Sequence, residues 1–346
     1  MKPLRKFFDT HKPKFTTGGA LEKYFPIYDV FENLFYSSDK RTFGAVHIRD
    51  SIDLQKVMVV VWMATFPAMF YGMYNLGFQS LSAFQEIGSI NKDDWHFIFI
   101  DLLCNYDPKS IWDCIWFGAC YFIPIYLVTF IVGIAWEVIF AIVRGHEINE
   151  GAFVTTVLFA LCCPPDAPLW QVALGISFGI VVAKEIFGGT GKNFLNPALA
   201  GRAFLYFAYP VDWSGDSVWV AVDGYSSPTI LGIGAQEGLN GIQAQYSWFD
   251  AFLGSIPGSI GETSTLFILI GLIILLYTRV ASWRVIAGVL LGTFVTSELF
   301  NFIGSDTNPM FSLPFHWHLV IGGFAFGLTF MAVEPVSGSH TNLGRW

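Results

Sequence analysis

Charged residues are scarce in this chain of 346 residues. Only 13% of the residues are Asp, Glu, Lys or Arg, whereas an average soluble domain contains roughly 25%. Hydrophobic residues make up 53% of the chain. This composition excludes an ordinary water-soluble domain and predicts a protein whose main solvent is lipid. The net charge of −8 gives no support for nucleic-acid binding.

Cysteine is also scarce, and no CxxC pair typical of metal or redox sites is present. The five cysteines are Cys104, Cys114, Cys120, Cys162 and Cys163. We therefore predict neither an iron-sulfur cluster nor a zinc site made by this chain alone. His316 and His318 flank Trp317, and we interpret this group as part of an aromatic belt at a membrane interface, with no metal bound.

Uncharged apolar runs recur along the chain. A hydrocarbon core about 30 Å thick requires a helix of about 20 residues to cross it. The clearest runs are 57–77, 115–136, 264–278, 285–303 and 317–333. Shorter runs bounded by Pro or Gly, which we also interpret as helices, are 152–163, 168–183 and 195–210. The sequence therefore predicts an all-α polytopic membrane protein with about eight transmembrane helices.

Basic and acidic residues alternate along the segments that connect these runs. The first 56 residues carry ten Lys or Arg and no apolar core of a cleavable signal peptide, whereas residues 211–262 contain no Lys or Arg. The positive-inside rule then predicts a multi-pass membrane protein with a cytoplasmic N-terminus. The basic N-terminal arm could bind anionic lipid or a cytoplasmic partner protein, or could only fix the topology.

The alternation divides the chain into four regions. We expect a cytoplasmic arm at 1–56, a first transmembrane helix bundle at 57–210, a periplasmic loop at 211–262 and a second transmembrane half at 263–346.

The segment 185–203, EIFGGTGKNFLNPALAGRA, separates two apolar runs with glycine and asparagine. Both are poor helix formers, and non-helical backbone at membrane depth persists only where protein or a cavity satisfies its hydrogen bonds. Asn193 and Asn196 offer amide donors and acceptors. Two interpretations are open: a close-packed turn between helices, or a cradle for a flat ring with imide and carbonyl groups.

A second unusual segment, DGYSSPT, occupies residues 223–229 of the acidic 211–262 region. Asp, Gly, Ser and Pro together indicate a turn, so we expect Thr229 to present its hydroxyl at an exposed, ordered bend. By itself the segment predicts only a turn.

Long strings of the sequence resemble the B subunit of the Na+-translocating NADH:quinone oxidoreductases. They are HIRDSIDLQKVMVVVWMATFPAMFYGMYN, GAFVTTVLFA, PLWQVALGISFGIVVAKEIFGGTGKNFLNPALAGRAFLYFAYP and SGDSVWVAVDGYSSPT. The resemblance implies ten helices in two related five-helix halves, similar to urea and ammonium transporters. Because about eight predicted helices lie within 1–346, we expect a fragment or a truncated second half at 263–346.

The resemblance implies a covalently bound flavin. In this family a threonine in a D-G-x-S-G-A-T motif carries FMN through a phosphoester bond that a flavin transferase makes. The matching residues here are Asp223, Gly224, Ser226 and Thr229. Pro228 replaces the alanine of the motif, and because proline lacks an N–H and fixes φ, it could weaken recognition by the transferase.

The resemblance also implies two ligands in the membrane interior. A non-covalent riboflavin is expected near Asn193 and Asn196. A ubiquinone site is expected at Gly133 and Glu137. Glu137 interrupts an apolar run, and such an acid marks an ion or ligand path unless it lies near the interface and extends to water.

The activity implied is that of one membrane component of a redox-driven sodium pump. Electrons would pass from covalent FMN through riboflavin to quinone, coupled to Na+ export, in a six-subunit complex that also contains the A, C, D, E and F subunits. Asp29, Glu137 and Glu334 are the candidate acids for the sodium path. The alternatives are the D subunit of an Rnf-type ferredoxin:NAD oxidoreductase, against which the arm 1–50 argues, and a flavin-free transporter of the same fold.

Overall fold

The structure is a computed structural model. All regular secondary-structure elements in the residues that it describes are helices. The described residues are 2–16, 18–25, 28–29, 32, 36, 54–88, 92, 94–144, 151–215, 217–225, 228–334, 336–339 and 341–346. No strand occurs in these ranges. The prediction of an all-α polytopic membrane protein is confirmed.

The α-helices are numbered here in chain order. They are α1 (Lys2–Phe15), α2 (Leu54–Ala64), α3 (Phe66–Ile87), α4 (Phe97–Ile100), α5 (Ile111–Arg144), α6 (Gly151–Leu161), α7 (Leu169–Val181), α8 (Pro197–Ala208), α9 (Pro210–Trp213), α10 (Ile230–Gln245), α11 (Trp248–Leu253), α12 (Thr265–Tyr277), α13 (Trp283–Ile303), α14 (Phe315–His318) and α15 (Phe324–Phe326). Short 3-10 helices lie at Glu22–Tyr24, Glu185–Phe187, Ser217–Trp219 and Pro309–Ser312, and a π-helix follows α15 at Gly327–Met331.

The predicted count of eight spanning helices is not confirmed. Among the described residues, four helical stretches are long and apolar enough to cross a membrane: Val57–Ile87, Ile111–Arg144, Leu169–Phe187 and Trp283–Ile303. Helices α6 and α12 are apolar but have only 11 and 13 residues. At about 1.5 Å per residue these two are shorter than the hydrocarbon core is thick.

The run 317–333, predicted as one helix, is broken. Helix α14 ends at His318, and the chain then turns through Gly322, which has a φ of 60°, before α15 begins. Glycine adopts this left-handed conformation without steric cost, so the glycine pair at 322–323 permits the break. Hydropathy alone does not register such a break, because the residues on both sides remain apolar.

Helix α5 is the centre of the bundle. It has 34 residues, contains Pro124, and packs against α3, α6 and α7. At the crossing with α3 the backbones touch, since a Cβ added at Gly118 would lie 1.9 Å from the carbonyl oxygen of Met73. In lipid the hydrophobic effect does not drive helices together. Small residues at such a crossing stabilise it by allowing close van der Waals contact between the backbones.

Residues 211–262, predicted as a loop, contain helices α10 and α11. These helices form a second hydrophobic core together with α14. Trp317 is buried within this core. We predicted that Trp317 and its flanking histidines lie in an aromatic belt at a membrane interface. For Trp317 this prediction is wrong, because its side chain packs inside the protein.

The connecting segments gather at two opposite ends of the bundle. At one end, the Gln171 amide donates to Asp212 over 2.5 Å and the Tyr225 hydroxyl donates to Glu86 over 3.3 Å. At the other end, 2.8 Å separates the Asn196 amide from the carboxylate of Glu334. We call the first of these the acidic end and the second, which also holds Arg144 and Lys184, the basic end.

Candidate functional site

The stretch 184–196, called here the glycine-rich segment, turns back tightly between α7 and α8. Gly188, Gly189 and Gly191 have φ values of 114°, 90° and 88°. Only glycine adopts these values readily, so each of the three positions requires it. The predicted tight turn is confirmed, and it places the segment at the basic end of the bundle.

A buried ion pair joins the glycine-rich segment to α5. The Nζ atom of Lys184 contacts Oε1 of Glu137, and the two side chains are only 4% and 2% exposed. Glu137 therefore does not extend to water at an interface. Two charges taken out of water are tolerated only when paired in this way. Sequence reasoning did not identify Lys184 as a site residue, although a lysine directly after an apolar run was a usable signal.

A second ion pair lies two turns further along α5. The guanidinium of Arg144 is 3.0 Å from the carboxylate of Glu185 and donates to the Glu185 backbone carbonyl over 2.8 Å. Residues 137 and 144 are seven apart, so they lie on the same face of α5. The adjacent residues Lys184 and Glu185 therefore form two ion pairs with the same face of α5. The lysine pairs with an acid of α5, and the glutamate pairs with a base of α5.

The two asparagines hold the turn. Asn193 accepts from the Gly191 amide over 3.3 Å and donates to the Leu195 carbonyl over 2.9 Å. Asn196 caps α8, because its side-chain oxygen accepts from the amides of residues 198 and 199. The side-chain amides of both asparagines thus form hydrogen bonds within the turn. This arrangement agrees with the first of the two interpretations of the segment, a close-packed turn between helices.

Asn196 and Glu334, both predicted site residues, are in direct contact. The Asn196 amide and the Ser337 hydroxyl each donate to the same carboxylate oxygen of Glu334, over 2.8 Å in both cases. The break after α14 therefore brings the chain back to the start of α8. Asp29 is also buried, in the N-terminal part of the chain.

An apolar groove of about 740 Å³ runs beside Asn196 along α8. Its aromatic walls include Phe178 and Phe204, whose rings stack with centroids 4.4 Å apart and an interplanar angle of 8°. Phe194 and Phe207 complete this aromatic lining. The groove is apolar, and Asn196 lies at one end of it.

Gly133 lies one turn before Glu137 and faces α6 and α7. A Cβ at this position would be 2.8 Å from Cγ2 of Thr156 and 3.2 Å from Cδ1 of Ile180. Gly133 is thus a close-packing position in the helix crossing that presents Glu137.

Thr229 is the N-cap of α10. Its backbone is extended, and its hydroxyl oxygen accepts from the Gly232 amide over 3.2 Å. The side chain is half-buried, so the expected exposed bend is in fact a helix N-terminus. Asp223 and Gly224 are exposed, and Gly224 has a φ of 72°. Ser226 lies outside the described residues.

Four aspartates line a cavity of about 420 Å³ at the acidic end: Asp94, Asp166, Asp212 and Asp223. Burial, with the neighbouring carboxylates of Asp94 and Asp223, raises the pKa of Asp166 to about 6. His96 lies 2.6 Å from Asp94 through its Nδ1 atom. The cavity presents one sign of charge, and such a surface raises the local concentration of cations.

Known proteins match this chain along nearly its whole length. The family described as "NQR2, RnfD, RnfE family" matches residues 42–346. The B subunit of a Na(+)-translocating NADH-quinone reductase from Pseudomonas paraeruginosa is 55% identical over 99% of this chain and 86% of its own length. Proteins of the same name from Azotobacter vinelandii and Chromohalobacter salexigens are 56% identical, over 99% of this chain and 86% and 83% of their own lengths.

Proposed function

Since the chain belongs to the NQR2, RnfD, RnfE family, we propose that it is the membrane-embedded B subunit of a Na+-translocating NADH:quinone reductase. It would act within a complex that also contains the A, C, D, E and F subunits, in the bacterial inner membrane, with its N-terminus in the cytoplasm. The observation that carries this proposal is the identity of more than half the residues along 99% of the chain to relatives of that name.

Thr229 is the proposed attachment point for FMN, with Asp223, Gly224 and Ser226 completing the motif that the transferase recognises. The position fits an ester phosphate, because the hydroxyl already faces the first amides of α10, whose first segment runs from Ile230 to a kink at Gly238. Free amides and the positive end of the helix dipole stabilise a phosphate at such a terminus. Pro228 precedes the cap, where the missing N–H removes no helix hydrogen bond.

The glycine-rich segment and the groove beside it are the proposed location of riboflavin and ubiquinone. The aromatic walls would hold a flat ring, with Asn196, fixed by its bonds to α8 and Glu334, at one end of the groove. Glu137, with Gly133 one turn away, would lie at the quinone site. When bound, the flavins would supply the redox chemistry, and the protein residues would position them and exclude water.

The proposed sodium path includes Asp29, Glu137 and Glu334. Glu334 contacts Asn196, so an acid of the path touches a residue of the proposed flavin site. This contact gives a physical route by which charge at one site alters the other. The acidic cavity lined by Asp223 would attract cations at the far end of the bundle.

Substitution of Thr229 tests the flavin assignment. We expect Thr229→Ala and Thr229→Asp each to abolish covalent flavin, because both lack the hydroxyl that forms the ester. Thr229→Ser should retain it. The measurements are in-gel flavin fluorescence and the intact mass of the denatured chain.

Thr229→Asp is the matched control for the cap. Aspartate caps a helix as well as threonine does, whereas alanine at an N-cap costs about 1 kcal/mol. We expect the aspartate variant to match the wild-type melting temperature while carrying no flavin. Flavin fluorescence that persists in both variants would remove Thr229 from the assignment.

The D subunit of an Rnf-type complex is the second candidate, since the family includes it. The names of the matched relatives favour the quinone reductase. Membranes containing the complex should oxidise NADH with quinone as acceptor and should not require ferredoxin.

A further inference from the structure

A small cavity lies where two breaks between helices meet. One break is the non-helical stretch 254–264 between α11 and α12, and the other is the turn at 319–323 after α14. The cavity has a volume of about 80 Å³. Its polar lining consists of Thr229, Glu262 and Thr263, together with backbone at Gly258 and Gly322.

Two hydroxyl groups beside this cavity are buried without a hydrogen-bond partner among the described residues. Ser259 is 1% exposed and Thr263 is 2% exposed. Leaving a buried polar group unpaired costs about 1–3 kcal/mol, so each such group requires an explanation. Thr263 lines the cavity itself, and its oxygen is available to a ligand there.

Glu262 is the single carboxylate of the cavity. It is half-buried, and its Oε1 atom accepts from the Ser259 amide over 3.2 Å. No lysine or arginine forms an ion pair with it in the part of the chain that the structure describes, and residues 211–262 contain neither type. A partly buried carboxylate without an ion-pair partner favours a bound cation.

Gly323 allows this carboxylate to approach the second break. A Cβ at position 323 would lie 3.1 Å from Oε2 of Glu262, which is tighter than ordinary contact. Breaks of this kind expose backbone carbonyls that helices otherwise use internally, and paired broken helices bind cations in many transporters. One carboxylate with several neutral oxygens carries a net charge of −1, which matches a monovalent cation.

We propose that Glu262 and Thr263, with backbone carbonyls of the two breaks, form a Na+-binding site that has Thr229 at its rim. The identification of the cation as Na+ rests on the proposed function, and the site itself rests on the geometry. The site lies on the same side of the bundle as the acidic cavity, so it would bind the cation next to the proposed flavin attachment point.

Trp219 lines the same cavity and provides a direct probe of occupancy. The experiment is a NaCl titration of tryptophan fluorescence in the purified oxidised complex without NADH, at constant ionic strength maintained with choline chloride. The signal that disappears in Trp219→Phe is the component from this cavity. We expect a saturable response in the wild-type complex.

Glu262→Gln should raise the Na+ concentration at half-saturation by about tenfold or more, as loss of a ligand or its support does in other ion sites. Thr263→Val should raise it severalfold, and Thr263→Ser should leave it unchanged. The exposed Glu237 of α10 is the matched control, and Glu237→Gln should titrate as wild type.

The proposal is wrong if Glu262→Gln titrates as wild type. If that variant does not assemble, Thr263→Val decides, and an unshifted response there also overturns the site. A complex without covalent flavin but with a Glu262-dependent Na+ response would contradict the proposed flavin assignment alone. A flavinylated complex without that response would contradict the site alone.

Discussion

Glu137 and Lys184 show how strongly a single residue can depend on one partner inside the bundle. Their pair is buried, and no water is available to replace either charge. Removing one partner of a buried ion pair typically destabilises a protein by about 3–5 kcal/mol, because the other charge stays buried. The carboxylate proposed for the quinone site therefore depends on a lysine in a different segment.

Lys184→Met should lower the melting temperature of the purified complex substantially, since it leaves the Glu137 charge unpaired. Glu137→Gln combined with Lys184→Met should recover part of the loss, because no charge is then buried. The measurement is a double-mutant cycle on thermal unfolding. Lys192→Met, at an exposed lysine of the same segment, should have little effect, and additive effects of the two buried substitutions would contradict the pairing.

The pairing of these residues could not be predicted from the sequence. Glu137 was identifiable as a charge within an apolar run, but its partner lies 47 residues away. Which two helices pack together decides the pair, and hydropathy carries no such information. The same holds for Glu334 and Asn196, which were predicted separately and meet only in the folded chain.

At the scale of elements, glycine sets how closely α5 approaches its neighbours. Gly133 faces Thr156 of α6 and Ile180 of α7 with no room for a side chain. A substitution there moves α5 away from both helices and carries Glu137 with it. Loss of quinone affinity at Gly133 would then arise from packing, without contact between the glycine and the ligand.

Gly133→Ala should raise the KM for quinone and lower the melting temperature, because the new Cβ meets Cγ2 of Thr156. Thr156→Ser removes that methyl group and keeps the hydroxyl that bonds the Phe153 carbonyl. In the double variant Gly133→Ala with Thr156→Ser, the KM for quinone and the melting temperature should therefore both return most of the way to the wild-type values. Failure of the serine substitution to rescue KM would indicate direct contact between Gly133 and quinone.

Long regular helices were predictable, and interrupted ones were not. The runs 57–77, 115–136 and 285–303 lie within observed helical stretches. The run 317–333 breaks at a glycine pair, and hydropathy does not register the break because the residues on both sides are apolar. Helix α11 was missed in the acidic 211–262 region, although Ser247 and Asp250 form a capping box that the sequence spells as S-x-x-D.

For the molecule as a whole, charge distribution was the most informative sequence signal. It separated the connecting segments into two groups; Asp94 and Asp212 line the cavity at one end of the bundle, and Arg144 and Lys184 lie at the other. The assignment of these ends to cytoplasm and periplasm stays a prediction from the positive-inside rule. It can be tested without any assumption about flavins or sodium.

Single cysteines at Asp223 and Lys192 report the two ends, since both positions are exposed. In intact spheroplasts a membrane-impermeant maleimide should label Asp223→Cys and should spare Lys192→Cys. Inverted vesicles should reverse the pattern. The native cysteines are buried or half-buried, so the unsubstituted chain gives the background, and labelling of Lys192→Cys in spheroplasts would contradict the orientation.

Helix α5 connects both ends, and Pro124 lies along it. It carries Tyr121, which donates to Asp94 at the acidic cavity, and Glu137, which pairs with Lys184 near the basic end. Proline has no N–H, so the carbonyl of residue 120 receives no hydrogen bond from residue 124. The helix therefore bends most easily at this point. Pro124 lies between the two contacts, so bending of the helix there would loosen one contact while leaving the other in place.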